Sequence, residues 1–260
     1  MRSRRIFVTR AEIGNHTISF SAANMHYLKN VLHFGLGDCF KAVDGTRLYD
    51  VVLEAKNGCE LIGKILSSTE DTFAFPVKVD LAFGCIRPAP TEEIIRHCTE
   101  IGVDSFSPLL FERSNRRPNS VRNRWLKIAS SACAQSGRWT MPTFNDPMDL
   151  EHFLDLVSRD SCLVYFCLGQ ATPPFGTVLD SHKPEKMVMV IGPEGGMSHE
   201  EKSRLDAFGF VPASLGPTIL RTETAAIVAA GIVTNWGLTR MCGQKSFDSD
   251  HFQFVDPCGA

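Results

Sequence analysis

Two short segments of this 260-residue chain carry residue types that can do chemistry. The first is Ile191-Gly192-Pro193-Glu194-Gly195-Gly196, which follows the apolar run Met187 to Ile191. Its glycines give a backbone almost free of side-chain bulk, able to lie against a planar ligand and to present its own N–H and C=O groups. Ser198, with Glu201 three residues on, spells a capping box that starts the next helix. The second is Ala213-Ser214-Leu215-Gly216-Pro217-Thr218-Ile219-Leu220-Arg221-Thr222-Glu223, leading into Thr224-Ala225-Ala226. A short strand running into Gly216-Pro217, with Thr222 as the cap of an Ala-rich helix, repeats the design of the first. Ligands of open α/β sheets bind at the carboxyl ends of strands, where both loops fall, so the two can face one pocket. A plain strand-to-helix turn would explain Gly-Pro or Gly-Gly alone. An acid set between glycines directly after an apolar strand favours ligand binding. Neither segment contains GxGxxG or GxxxxGK[ST], so dinucleotide and nucleoside-triphosphate binding lack their phosphate cradle.

The elements that must position these loops follow from periodicity. Val77, Val79, Leu81 and Phe83 alternate as a strand, and Ile94, Ile95, Cys98 and Ile101 recur at helical spacing with Gly102 as the stop. A strand over Phe106 to Leu110, a helix through Trp125, Ile128, Ala129, Ala132 and Cys133, and the apolar strands Leu163 to Leu168 and Met187 to Ile191 come next. Continuous apolar strands alternating with helices predict an α/β domain with a mostly parallel sheet, over residues 76–241. Residues 1–75 read differently. Asn57-Gly58 separates two apolar runs as a hairpin, and Gly37-Asp38 and Asp44-Gly45 punctuate another pair around Phe40 to Val43. That spacing predicts a small β-barrel with one helix over His26 to Leu32. Residues 242–260 lack periodicity and are expected to be a disordered tail.

Composition sets the class. With 43% hydrophobic and 22% charged residues, the chain is of ordinary globular make-up. Its longest apolar stretches, Met187 to Ile191 and Ala225 to Val233, fall short of the ~20 residues that cross a bilayer, and Ile6-Phe7-Val8 is too short for a signal-peptide core. A cytoplasmic protein is expected. Nine cysteines in no paired or zinc-like spacing point to reduced thiols and no metal. Net charge is only −2, yet Arg113, Arg116, Arg117, Arg122, Arg124, Lys127 and Arg138 fall in a stretch without a single Asp or Glu. Such a patch attracts phosphates, while a solvated helix face is the competing reading.

The two glycine segments, with Arg4-Arg5-Ile6-Phe7, Thr99-Glu100-Ile101-Gly102-Val103, Glu112-Arg113-Ser114 and Gln135-Ser136-Gly137-Arg138, resemble the ribosomal small-subunit RNA uridine-N3 methyltransferases. These form the methyltransferase E family, a branch of the SPOUT superfamily. The likeness runs across most of residues 4 to 240. It implies an N-terminal PUA-like β-barrel that helps hold RNA, then a SPOUT α/β-knot domain whose C-terminal part threads a trefoil knot. It further implies a homodimer, S-adenosyl-L-methionine as cofactor, and 16S rRNA in the assembled small ribosomal subunit as substrate, methylated at N3 of a uridine of the decoding region. The cofactor walls would be Leu168 and Gly169; Ile191, Gly192, Pro193, Glu194, Gly195 and Gly196; Leu215 and Gly216; and Ile219, Leu220, Arg221 and Thr222. The family usually has Arg where this chain has Thr218 and His33, which touches RNA affinity rather than the cofactor pocket.

On that resemblance, uridine N3 must lose its proton before or during attack, which calls for a base or an anion stabiliser. Arg221 is expected to bond the developing uridinate oxygen or a nearby phosphate, and Glu194 or Glu223 to take the proton or orient the base. Glu223 has a second reading, as an acid stabilised in the first turn of a helix. Arg4 and Arg5, with Arg113, Arg116 and Arg117, are the expected phosphate contacts. Arg138 either reaches RNA or the partner subunit, or serves as a helix C-terminal cation beside the stop at Gly137. Two further functions remain open: another SPOUT reaction such as ribose 2′-O-methylation, and a ribosome assembly factor without turnover.

Overall fold

The alternation at Val77 to Phe83 becomes strand β6 of a six-stranded sheet in a computed structural model of the chain. It describes residues 5–56, 60–70, 75–114, 118, 120–121, 123–169 and 172–244.

Residues 5–70 form a five-stranded sheet from β1 (Arg5–Phe7), β2 (Thr17–Ile18), β3 (Cys39–Val43), β4 (Arg47–Lys56) and β5 (Glu60–Glu70), in the order β1-β3-β4-β5-β2. β4 and β5 are the antiparallel arms of the expected hairpin, whose tip at Asn57-Gly58 lies outside the described residues. The register shifts between Asp50 and Val51, a bulge that bends both strands over Val51, Leu53, Ile18 and Phe40. Among the described residues β1 and β2 are edges, so the sheet is open where a barrel was expected. Its helix α1 (Ala22–His26) begins before His26 and continues as a π-turn, Tyr27–Val31.

The larger sheet holds β6 (Lys78–Gly84), β7 (Ser105–Leu109), β8 (Thr143–Phe144), β9 (Cys162–Phe166), β10 (Lys186–Ile191) and β11 (Val211–Ala213), in the order β11-β9-β10-β6-β7-β8 with parallel pairing throughout. Helices cover both of its faces, as a parallel sheet requires. On one, Val79, Leu81 and Phe83 pack with α2 (Pro88–Ile101), α5 (Phe175–His182) and α7 (Thr222–Gln244). On the other, Ala82, Val188 and Val190 pack with α4 (Leu150–Leu156) and α6 (His199–Phe208). α3 (Asn123–Ser136) lies outside α2, with Trp125 and Ala129 against Ile95. Gly102 ends α2 at φ 120°, where an L side chain would be strained. α7 extends through Gln244, past the expected start of the tail; the rest of that tail lies outside the described residues.

Chain order reverses near the middle of this sheet. β6 leads outward to β7 and β8, while β10 returns to β6's other side with β9 and β11 beyond it. A reversal of that kind opens a crevice at the carboxyl ends of the strands; the glycine segment after β10 leaves from there, and the one after β11 leaves from the sheet edge two strands away.

Candidate functional site

The loop after β10 is shaped by contacts that leave no room for side chains. A Cβ on Gly84, the last residue of β6, would lie 2.4 Å from the nitrogen of Pro193. One on Gly195 would lie 3.0 Å from the Cβ of Arg113. Gly196 closes a turn by donating its N–H to the Pro193 carbonyl at 2.8 Å, at φ 70°. The predicted capping box follows: the Ser198 hydroxyl accepts from the Glu201 N–H at 3.3 Å, and the Glu201 carboxylate accepts from the Ser198 N–H at 2.7 Å. Pro193 is buried, while Glu194 and Gly195 are exposed.

The second loop is closed from within. The Ser214 hydroxyl donates to the Gly216 carbonyl at 3.0 Å and lies 3.2 Å from the Gly216 N–H. Thr222 differs from its expected role as a cap. It is the first residue of α7, only 3% exposed, and its hydroxyl donates to the Gly192 carbonyl at 3.0 Å. A sequence-local rule could not foresee a partner 30 positions upstream. This bond joins the two glycine segments directly.

Leu168 and Gly169, just after β9, complete an open cleft of about 730 Å³ with Phe175, Leu215, Gly216 and Ile232. The structure thus gathers four of the expected cofactor residues, Leu168, Gly169, Leu215 and Gly216, around one space. Ile191 to Gly196 are not in its lining; the Thr222 bond ties them to the segment that supplies Leu215 and Gly216. Ile219 is 86% exposed, and Leu220 is packed against the core. Phe175 at the start of α5 and Ile232 on α7 escaped the sequence reading, since each looks like a core residue of its helix.

The charged candidates sit in three settings. Arg221 is exposed, one residue ahead of α7. Glu223 stands in the first turn of α7 with Oε2 buried and without a hydrogen-bond partner. Glu194 is exposed and its Oε1 lies 3.4 Å from a guanidinium nitrogen of Arg87. Sequence reasoning passed over Arg87, although its place at the N-cap of α2, close after central strand β6, was a usable signal.

Among the expected RNA contacts, Arg4, Arg116 and Arg117 lie outside the described residues. Arg113 is exposed and donates to the Gly195 carbonyl at 3.4 Å. Arg5 is half-buried with Nη1 tucked against Gly137, and burial lowers its pKa. Arg138 requires a correction. Its side chain is 3% exposed, and its donors go to the carbonyls of Val103 at 2.6 Å and Thr99 at 3.1 Å, to the Thr140 hydroxyl at 3.3 Å, and to Asp104 at 3.5 Å. Burial lowers its pKa, opposed by Cys133 and Asp104, and it offers RNA no free donor. The basic stretch is also less unbalanced than its sequence implies, because Arg124 forms a two-pronged pair with Glu92 of α2.

Comparison with known proteins bears on this site. A family profile described as an RNA methyltransferase domain matches residues 74–234. The ribosomal RNA small subunit methyltransferase E of Synechocystis sp. is 34% identical over 234 residues, covering 86% of this chain and 75% of that protein. Its Bacillus subtilis counterpart is 30% identical over 240 residues, covering 84% and 90%. Among solved structures, a putative methyltransferase from Legionella pneumophila in complex with S-adenosylmethionine superposes with TM-score 0.78 at 26% identity, over 91% of this chain and 98% of that one. A Neisseria gonorrhoeae ribosomal RNA small subunit methyltransferase E shares the fold at TM-score 0.76 and 23% identity, over 90% and 97%.

Proposed function

The chain belongs to the ribosomal RNA small subunit methyltransferase E family, and on that premise we propose that it methylates N3 of a uridine in 16S rRNA of the small ribosomal subunit, using S-adenosylmethionine. The observation that carries this reading is the Thr222–Gly192 bond, which fastens the loop after β11 to the loop after β10 beside the cleft at Leu168, Gly169, Leu215 and Gly216.

The residues present fit the cofactor. The cleft is walled by leucine, phenylalanine and glycine, as a flat, weakly polar ring system prefers, and the glycine loops offer backbone polar groups for its edges. When bound, S-adenosylmethionine supplies a methyl carbon activated by its sulfonium. The chain's own part is to orient and to manage a proton. Exposed Arg221 supplies the planar donor fork for the uridine oxygen that gains charge as N3 loses its proton. The buried, unpartnered Oε2 of Glu223 suits a proton acceptor, while Glu194, tethered by Arg87, suits orientation of the base.

Residues 1–75 are assigned as the part that helps hold RNA, through a bent open sheet rather than a closed barrel, and 76–241 as the methyltransferase domain. A trefoil knot is supported by the route of the chain. From β11, at the sheet edge beyond β9, it passes the β10 loop at Gly192 before α7 packs against β6 and α2. A homodimer is supported by α7, which leaves Ile227, Val228, Ile232 and Leu238 only partly covered and Met241 44% exposed. A ribosomal substrate would be consistent with the expected cytoplasmic location.

The test incubates the protein with unmodified small subunits and methyl-labelled S-adenosylmethionine, then identifies labelled nucleosides by mass spectrometry. Label in 3-methyluridine is expected. Label in a 2′-O-methylated nucleoside would replace the proposed reaction, and no label with cofactor still bound would support a non-catalytic assembly role.

A further inference from the structure

The segment Phe111-Glu112-Arg113-Ser114 has no part in the chemistry above, yet it is fastened with unusual thoroughness. Phe111 is fully buried. The Ser114 hydroxyl accepts from the Phe111 N–H at 3.0 Å, and the Ser114 N–H donates to the Phe111 carbonyl at 3.0 Å, so the turn holds its own shape. Its outer face rests on the glycine loop through Arg113, whose Nη1 donates to Gly195 and whose Cβ and carbonyl occupy the space a Gly195 side chain would need. The third fastening is the Glu112 N–H, which donates to Oε1 of Glu201 at 2.7 Å.

That last bond spans elements the sheet does not join. The turn follows β7 and Glu201 belongs to α6 after β10, while β6 lies between β7 and β10. Strands two places apart are roughly 10 Å from each other, so ladder hydrogen bonds cannot set the spacing of their loops. Glu201 does so with a single carboxylate, Oε2 capping its own helix at Ser198 and Oε1 holding the turn. Beyond the turn the chain enters the basic run that contains Arg116, Arg117 and Arg122.

We propose that Glu201 is a positioning residue for RNA: its carboxylate latches the 111–114 turn to the helix that follows the glycine loop and so sets where Arg113 meets the substrate relative to the methyl-transfer pocket. This rests on the reading of Arg113 as an RNA contact. Glu201→Gln keeps one oxygen and most of the shape but replaces the other acceptor with an amide that faces an N–H.

The experiment measures binding of the full-length protein to unmodified small ribosomal subunits without cofactor, alongside S-adenosylmethionine binding by calorimetry and thermal melting. Arg113→Ala is expected to weaken subunit binding by about tenfold and Glu201→Gln by about fivefold, the scale of one lost hydrogen bond of ordinary strength. The double variant should be no weaker than Arg113→Ala alone by more than about twofold, because the latch acts through that turn. Cofactor affinity should stay within about twofold in Glu201→Gln, since its contact lies outside the cleft lining. Ser198→Ala, which removes the other half of the capping box, should lower the melting temperature and leave subunit binding intact. Fully additive losses in the double variant, or a binding loss in Ser198→Ala equal to that of Glu201→Gln, would overturn the latch. An effect of Arg113→Ala without one of Glu201→Gln would overturn the latch alone. No effect of Arg113→Ala would remove the RNA role of Arg113 and the proposal with it.

Discussion

Arg221 and Arg138 are the same residue type put to opposite uses, and surroundings decide which. Arg221 stands exposed where the β11 loop enters α7, free to meet a charge that exists only during reaction. Replacing it with Ala is expected to lower kcat by about two to three orders of magnitude, the scale of a lost oxyanion donor, and to weaken S-adenosylmethionine binding far less. Single-turnover kinetics beside calorimetry separate the two. Arg138 spends its donors on carbonyls of Thr99 and Val103 and on Asp104, and Phe75 lies under its guanidinium at 5.5 Å. Arg138→Ala takes that donor from the Thr99 and Val103 carbonyls, so we expect a loss of about 2–4 kcal/mol in urea unfolding. RNA affinity of the folded fraction should not change. Sequence could not separate these roles: Gly137-Arg138 spells a helix stop, and the partners at Val103 and Thr99 lie 35 and 39 positions away.

At the scale of elements, the glycine loop depends on its neighbour strand as much as on its own residues. Gly84→Ala would press a methyl into the Pro193 backbone, which cannot swing aside as a side-chain tip can. A stability loss of about 1–3 kcal/mol is expected, with weaker cofactor binding as the loop shifts; calorimetry and thermal melting check both. The turn before β4 gives a pH dependence. Burial raises the pKa of Asp44, but bonds from the Thr46 and Arg47 N–H groups and from the hydroxyls of Thr46 and Tyr49 outweigh it, leaving the value lowered. A lowered folded pKa means stability that is present above the unfolded value of about 4 and is lost as pH falls through the folded value. Urea melts at pH 5 and pH 3 should therefore differ less in Asp44→Asn than in the parent. Elements of this kind were legible locally, in alternation at Val77 to Phe83, in Gly102 and in the Ser198–Glu201 box. Strand order was not, because it rests on pairings between distant segments that no local pattern encodes.

Across the whole molecule, one sheet carries two apolar faces, and the chain closes them in a particular order. α4 and α6 cover one face from segments adjoining their strands. The other is finished by α7, whose Ala225, Ala226, Ala229, Ala230 and Val233 are all buried against it. The same helix then presents Ile227, Val228 and Leu238 half-covered, and sedimentation velocity at micromolar concentration is expected to show a dimer. A monomer across that range would overturn this assignment. The alternating pattern of residues 77–191 announced a parallel sheet, but nothing in it announced that its last cover would come from residues 222–244.

That lateness matters while the protein is being made. A polypeptide leaves the ribosome N-terminus first, so Val79, Leu81 and Phe83 emerge more than 130 residues ahead of the last of the helices that shelter them. Until Ala225 to Val233 clear the exit tunnel, the nascent sheet shows an oily flank to every neighbour, including sister chains on the same messenger. Chaperone capture during synthesis, and aggregation of any product halted before Thr222, follow from the position of one helix in the chain.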